Sequence, residues 1–144
     1  VARVLHETSN NINKMPKVFT SETQKIGEIG ENVAVKFLMK HSFSVLERNY
    51  TKKWGEIDII AEKDNRIYFI EVKSSSQPDL GEDTHRAEDN MHPWKLQRLS
   101  RTIQTYLLHN KIGDDRIWQV DLLVVYLDLK AKKARVKVVS DIIL

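Results

Sequence analysis

Two carboxylates and a lysine stand at a spacing that invites chemistry. Asp58 lies in Gly55-Glu56-Ile57-Asp58-Ile59-Ile60, and Glu71 and Lys73 lie in Glu71-Val72-Lys73. Both runs are rich in Ile, Val, Tyr and Phe, so residues 55–62 and 66–74 read as strands. Between them comes Lys63-Asp64-Asn65-Arg66. Asp and Asn tolerate the positive φ of a tight hairpin turn. With Asp64 and Asn65 at the centre of that turn, Lys63 pairs with Arg66. Counting outward then sets Asp58 opposite Glu71 and Glu56 opposite Lys73. Opposed side chains of an antiparallel pair have Cβ atoms about 5 Å apart. Strict alternation places all four side chains on one face of the sheet.

Two carboxylates about 5 Å apart repel by about 3 kcal/mol at an effective dielectric near 20. Such a pair calls for a shared proton, a lysine or a divalent cation. Lys73 can supply one positive charge. Two acids plus water are also the hard oxygen ligands that Mg²⁺ prefers, with positions left for water and a substrate phosphate. A metal there would lower the pKa of a bound water and polarise a phosphoryl oxygen. Lys73 could then hold or deprotonate the attacking water. The plain alternative is a cross-strand ion-pair patch, Glu56 with Lys73 and Asp58 exposed.

The elements that must position these groups can be read along the chain. Residues 1–19 show no clean periodicity, and Asn10, Asn11 and Asn13 interrupt any pattern, so a flexible N-terminal arm is expected there. Residues 20–144 then form a single domain. Ser21-Glu22-Thr23-Gln24 matches a capping box, and Ile26, Ile29, Val33 and Phe37 follow at helical spacing, which predicts a helix over 21–40. Residues 43–50 read as a short strand. Residues 75–92 are polar and acidic, hence a loop. Leu99, Ile103, Tyr106 and Leu107 mark a second helix over about 93–109, with Pro93 suited to its first turn. Residues 117–127 form a long apolar strand expected to be buried on both faces. A last strand, 135–139, follows a Lys-rich turn. The order is α-β-β-β-α-β-β, an α/β domain with a mixed sheet.

Composition narrows the chemistry. The chain has 144 residues, 41% hydrophobic and 30% charged, which excludes a disordered or collagen-like chain. It has no cysteine, so disulfides, thiolate zinc sites, iron–sulfur clusters and a cysteine nucleophile are excluded. A reducing, cytoplasmic setting fits that composition. No apolar run reaches the ~18 residues of a membrane span, and no signal-peptide pattern is present. The net charge is +3. Basic residues cluster at 93–112 and 128–137, the kind of footprint that phosphate contacts need, although a solvated charged surface looks the same. No Gly-rich phosphate loop occurs. His85 and His92 are not at metal-ligand spacing.

The blocks around the hairpin resemble the PD-(D/E)xK nuclease superfamily, and more closely the YraN-like family of small bacterial proteins related to archaeal Holliday-junction resolvases. The upstream Gly-x-x-Gly-Glu-x-x-Ala pattern is present as Gly27, Gly30, Glu31 and Ala34. The Arg-Asn before the hairpin is Arg48-Asn49, the basic helix ending in Tyr-Leu is Lys95 to Leu107, and the late strand motif is Val120-Asp121-Leu122. The resemblance spans about residues 21–127. Ile57 replaces the superfamily's proline, Val120 stands where Phe is usual, and Ser74 to Ser76 stand where a basic residue is expected. The tail from residue 128 departs from the family's usual ending.

The resemblance implies a restriction-endonuclease-like, three-layer fold, a mixed central sheet flanked by helices. It implies that Asp58 and Glu71 ligate Mg²⁺ or Mn²⁺ with help from the Val72 carbonyl. Lys73 would position the nucleophilic water and stabilise the transition state, and Glu31 would complete the acidic cluster. The implied activity is metal-dependent hydrolysis of phosphodiester bonds in DNA, branched DNA included, with RNA left open. A homodimer is plausible because cutting two strands needs two sites. Lys95 and Arg98, at i and i+3 on the second helix, could bind phosphates or simply form a solvated helix face; Arg48 is a further candidate phosphate contact, and Trp54 could stack on a base or simply pack. Trp94 and Trp118 are expected in the core, and Asp121 as a structural or supporting acid. The rival readings are a nucleic-acid-binding module of the same fold without cleavage, and a protein-interaction domain in DNA processing.

Overall fold

A computed structural model describes residues 4–9, 21–76 and 91–144. Its elements are β1 (Val4–Ser9), α1 (Glu22–Lys40), β2 (Ser44–Lys52), β3 (Gly55–Lys63), β4 (Arg66–Ser75), α2 (Pro93–His109), β5 (Trp118–Asp128) and β6 (Lys133–Val139). The strands form one six-stranded sheet in the order β1-β6-β5-β4-β3-β2. Only β4 and β5 run parallel, because their connection carries α2 across the sheet; the other neighbours are antiparallel. None of the described helices is long and apolar enough to cross a membrane.

The local reasons match the local chemistry. Ser21 caps α1 by accepting from the Gln24 N–H at 3.1 Å. The expected stripe of Ile29, Val33 and Phe37 is buried, joined by Ala34 and Leu38. After His41 the chain turns through Ser42 at φ 69°, and the Phe43 N–H returns to the Leu38 carbonyl. This left-handed exit ends the helix and starts β2. At the hairpin, Asp64 and Asn65 have φ of 50° and 64°. Both central residues are left-handed, which gives the turn whose twist suits two antiparallel strands. The register runs from Lys63↔Arg66 to Ile59↔Ile70, as counted from the turn.

Among the described residues one helix covers each face of the sheet, giving three layers. On one face α1 packs on Ile59, Ala61 and Ile70, with Leu123, Val125 and Leu127 of β5. On the other, Leu99, Ile103 and Tyr106 of α2 pack on Ile57, Ile60, Ile67 and Phe69. The central strand β5 is buried from Val120 to Leu127, as a strand sandwiched between two layers should be.

Two expectations are corrected. Val4–Ser9 is a strand, paired with β6 from Val4↔Val139 to Ser9↔Ala134, so this part of the N-terminal arm belongs to the sheet. An edge strand needs a neighbour's backbone more than an apolar face of its own, so its sequence carries little pattern. The rest of the arm, and the acidic segment 77–90 with His85, lie outside the described residues. Trp94 is 57% exposed and not in the core, whereas Trp118 packs edge-on against Phe69.

Candidate active site

The hairpin ladder stops one residue short of Asp58. On β3, Ile59 and Ala61 face α1 while Ile57 and Ile60 face α2. Alternation would put Ile57 and Ile59 on the same side. The strand therefore switches faces at Asp58. Two observations explain the break. Across from Asp58 on β2, Asn49 has φ 53°, a left-handed kink in an otherwise extended strand. The Val72 N–H of β4 donates to Asp58 Oδ2 at 2.8 Å. A side-chain carboxylate has taken a place next to the ladder.

Helix α1 brings in Glu31. Gly30 lets it come close: a Cβ there would lie 1.7 Å from Ser74 Oγ of β4. Gly27, by contrast, faces open space, so it widens the cleft and does not tighten the packing. Glu31 Oε1 accepts from Arg48 Nε at 3.1 Å and from Asn49 Nδ2 at 3.1 Å, and Arg48 Nη2 lies 3.1 Å from the same oxygen. Arg48 also donates to Asn32 Oδ1 at 2.8 Å. Arg48 thus holds Glu31 in position, and its guanidinium is turned toward α1. Glu31, Asn49, Glu56, Asp58, Val72 and Ser74 line a cleft of about 520 Å³ beside α1.

Glu71 opens on the other side. It lines a second cleft of about 340 Å³ beside α2, with Lys52, Glu56, Trp94, Lys95 and Arg98. The Lys95 ammonium sits 2.7 Å from Glu71 Oε1. Gly55 allows α2 to close over the hairpin, since a Cβ there would meet Thr102 Oγ1 at 2.6 Å. Glu56 lines both clefts and so stands on the divide between them. The expected single patch of Glu56, Asp58, Glu71 and Lys73 is corrected accordingly. The four gather at one end of the sheet, but Asp58 faces the α1 cleft and Glu71 the α2 cleft, because the face switch at Asp58 breaks the alternation. The Lys73 side chain, two residues beyond Glu71 on β4, makes no hydrogen bond or ion pair with the described residues and lines neither cleft.

The electrostatics are those of crowded acids. The Asp58 carboxyl is pushed up to about 7; burial is the largest cause and the charge of Glu71 the next, with Glu56 and Glu31 adding to it. The Val72 N–H pulls the other way. Asp121, also raised by burial, is elsewhere: it accepts from Gln119 Nε2 and from the Asp141 N–H and serves the C-terminal segment. It is a structural acid.

The donors suit a hard cation. Asp58 Oδ1 and Glu31 Oε2 accept no hydrogen bond from the described residues, and every available ligand is a carboxylate or carbonyl oxygen, the set Mg²⁺ favours. Yet among the described residues no three acids or histidines are drawn tightly enough together to hold a metal as they stand. Glu71 already has its counter-charge in Lys95.

Of the residues singled out in the sequence, the structure brings Glu31, Asp58 and Val72 to one cleft, with Arg48 bonded to Glu31 but outside its lining, and Glu71, Lys95 and Arg98 to the other. Lys95, expected apart from the acids on a separate helix, is instead the direct ion-pair partner of Glu71. Trp54 packs: Arg101 lies 4.4 Å over its ring, and its carbonyl accepts from Arg98 Nε at 3.0 Å. The roles of Trp94 and Lys52 were not legible, since neither belongs to a motif. Asn49 was visible only as half of Arg-Asn.

Residues 30–140 match Uncharacterised protein family UPF0102. A UPF0102 protein of Campylobacter jejuni is 39% identical over 103 residues, covering 72% of this chain and 85% of the relative. Another, from Flavobacterium psychrophilum, is 35% identical over 113 residues, covering 78% and 90%. A third, from Campylobacter fetus, is 40% identical over 96 residues, covering 67% and 79%. The chain belongs to family UPF0102.

Proposed function

We propose that this UPF0102 protein is a divalent-metal-dependent endonuclease that hydrolyses phosphodiester bonds in DNA, branched DNA among its substrates. The observation that carries the reading is Asp58. Its carboxylate is half-buried where β3 breaks, one oxygen is held by the Val72 N–H, and the charges of Glu71, Glu56 and Glu31 surround it. Burial and repulsion both work against stability here. Groups perturbed in this way, beside an open cleft, gather at functional sites. The resemblance of the hairpin and its flanking blocks to PD-(D/E)xK nucleases supports the same reading.

In this reading Asp58, Glu71 and the Val72 carbonyl would hold Mg²⁺ or Mn²⁺, with Glu71 leaving Lys95 to turn toward Asp58, and Glu31 would complete the acidic set. The ion supplies a lowered pKa for water and polarisation of a phosphoryl oxygen. Arg48 and Asn49 keep Glu31 in its place. Lys73, without an acidic partner among the described residues, orients the attacking water and meets charge developing on the phosphate oxygens. Lys95 neutralises Glu71 in the metal-free site. Cleaving both strands of a duplex requires two such sites or two encounters.

The test is cleavage of branched, duplex and single-stranded DNA with and without Mg²⁺ or Mn²⁺. Wild-type protein should cut only with metal, Asp58→Ala should not cut, and Lys73→Ala should be slower by about 10² or more with DNA affinity kept. The second reading, a DNA-binding module without cleavage, is favoured by one feature: Lys95 already occupies Glu71. It requires that no variant cuts and that Asp58→Ala merely tightens binding by removing negative charge. That pattern would overturn the nuclease reading.

A further inference from the structure

Trp94 is a large apolar side chain left in water. It stands in the first turn of α2, 57% exposed, with two polar side chains beside its ring. The His92 ring lies parallel to it within 12°, at 6.5 Å between centroids, and the Arg98 guanidinium sits 5.6 Å over its face. An exposed indole does nothing for the core. It forms one wall of the α2 cleft, whose other walls carry Lys52, Lys95, Arg98, Glu56 and Glu71.

Charge and size narrow the occupant. Lys95 is spent on Glu71 at 2.7 Å. Arg98 donates through Nε to the Trp54 carbonyl, and among the described residues its other nitrogens make no hydrogen bond. Lys52 lies over the Tyr50 ring at 5.0 Å and also borders the cleft. The first turn of α2 contains no acid. An indole beside two available cations is the pairing that takes a base on its face and phosphates at its edge. The cleft, about 340 Å³, is at the small end of ligand pockets and has no room for a duplex. Bases inside a duplex also have both faces covered by their neighbours, so only an unpaired base can offer one to Trp94.

We propose that the α2 cleft binds an unpaired nucleotide of a DNA strand, its base stacked on Trp94 and its phosphates met by Arg98 and Lys52. Because Glu56 lines both clefts, a strand leaving Trp94 passes directly to the cleft of Asp58. The inference deepens the nuclease reading and rests on it for the choice of DNA. It makes the preferred substrate one with single-stranded or splayed nucleotides next to the bond to be cut.

The test is fluorescence anisotropy in EDTA with two labelled probes: an oligothymidylate of about 12 nucleotides, within the site sizes usual for single-strand binders, and a closed hairpin duplex. Wild-type protein should prefer the single strand. Trp94→Ala should weaken single-strand binding by about tenfold or more and leave the duplex nearly unchanged, while Trp94→Phe keeps most of the affinity. The exposure of Trp94 means that both variants should fold, which circular dichroism checks. Single-strand binding that survives Trp94→Ala within about twofold, or equal losses on both probes, overturns the inference. Cleavage assays on the same proteins separate it from the nuclease reading. Asp58-dependent cutting without Trp94-dependent binding removes only the inference. Trp94-dependent binding without metal-dependent cutting keeps the inference and removes the nuclease. A wild-type protein that binds neither probe and cuts no DNA with metal overturns both.

Discussion

The Asp58 carboxyl titrates near 7, so the folded protein holds a proton there that the unfolded chain releases near pH 4. Between those values the native state binds more protons than the unfolded one, and stability falls as pH rises. The penalty is absent below about pH 4 and complete above about pH 7. Asp58→Asn keeps an acceptor for the Val72 N–H but has no charge to bury. It should stabilise the protein on the order of 2–4 kcal/mol at pH 8 and hardly at all at pH 4, read from urea unfolding at both values. Equal effects at the two pH values would mean that Asp58 is not the group responsible. Lys95 gives a second prediction at this scale. Its ammonium, 43% exposed, competes with a cation for Glu71. Lys95→Met keeps the aliphatic stem and should raise Mn²⁺ affinity about fivefold by calorimetry, the weight of about 1 kcal/mol for a half-exposed ion pair. Unchanged or weaker Mn²⁺ binding would place the cation away from Glu71.

Contacts between elements set how close the acids can come. Gly30 and Ser74 touch where α1 crosses β4, and Glu31 follows Gly30 directly. Gly30→Ala would drive a methyl group into Ser74 Oγ and Cβ, at 1.7 and 2.6 Å. The helix must then lift, for a loss of about 1–3 kcal/mol, and Glu31 moves with it. Ser74→Gly removes both clashing atoms, so the double variant should recover part of that loss. Thermal unfolding of the two single variants and the pair measures the coupling. Strictly additive losses would show that the two residues are not in contact. On the opposite face Gly55 plays the same part for α2, whose Arg98 carbonyl and Thr102 hydroxyl approach it.

At the scale of the whole molecule, β1 covers the outer edge of β6. Removing residues 1–19 bares that edge, where Ala134, Val136, Val138 and Val139 are buried. An uncovered strand of this kind is a template for pairing with another chain. The truncated protein should melt several degrees lower and self-associate, as seen by calorimetry and light scattering. A monomer with an unchanged melting temperature would show that β1 contributes nothing to the sheet. DNA binding should depend on salt through the few cations around the α2 cleft. With Arg98 and Lys52 as the phosphate contacts, log K against log[salt] should slope at about −1.4 for single strands. A flat response would point to a partner other than nucleic acid.

What the sequence determined by itself lies within reach of neighbouring residues. The stripe from Ile29 to Phe37 made α1, the pair Asp64-Asn65 set the hairpin and its register, and the unbroken apolar run of β5 announced a strand buried on both sides. Turn geometry and side-chain periodicity are short-range effects, so a local reading captures them. The acids near the hairpin were visible for the same reason: their spacing is counted from the turn. Their final arrangement was decided by contacts between residues distant in the chain. The kink at Asn49, the Val72 N–H on Asp58 and the grip of Arg48 on Glu31 join β2, β3, β4 and α1. Together they turned Asp58 away from the face that alternation assigns it. Trp94 looked like core because it is apolar. Which side of α2 meets the sheet follows from how the helix seats on Gly55, and that seating leaves the indole in water. The same seating put Lys95 on Glu71. A strand's spacing fixes where its side chains can go, and the packing of helices on both faces of the sheet selects which of those places each one takes.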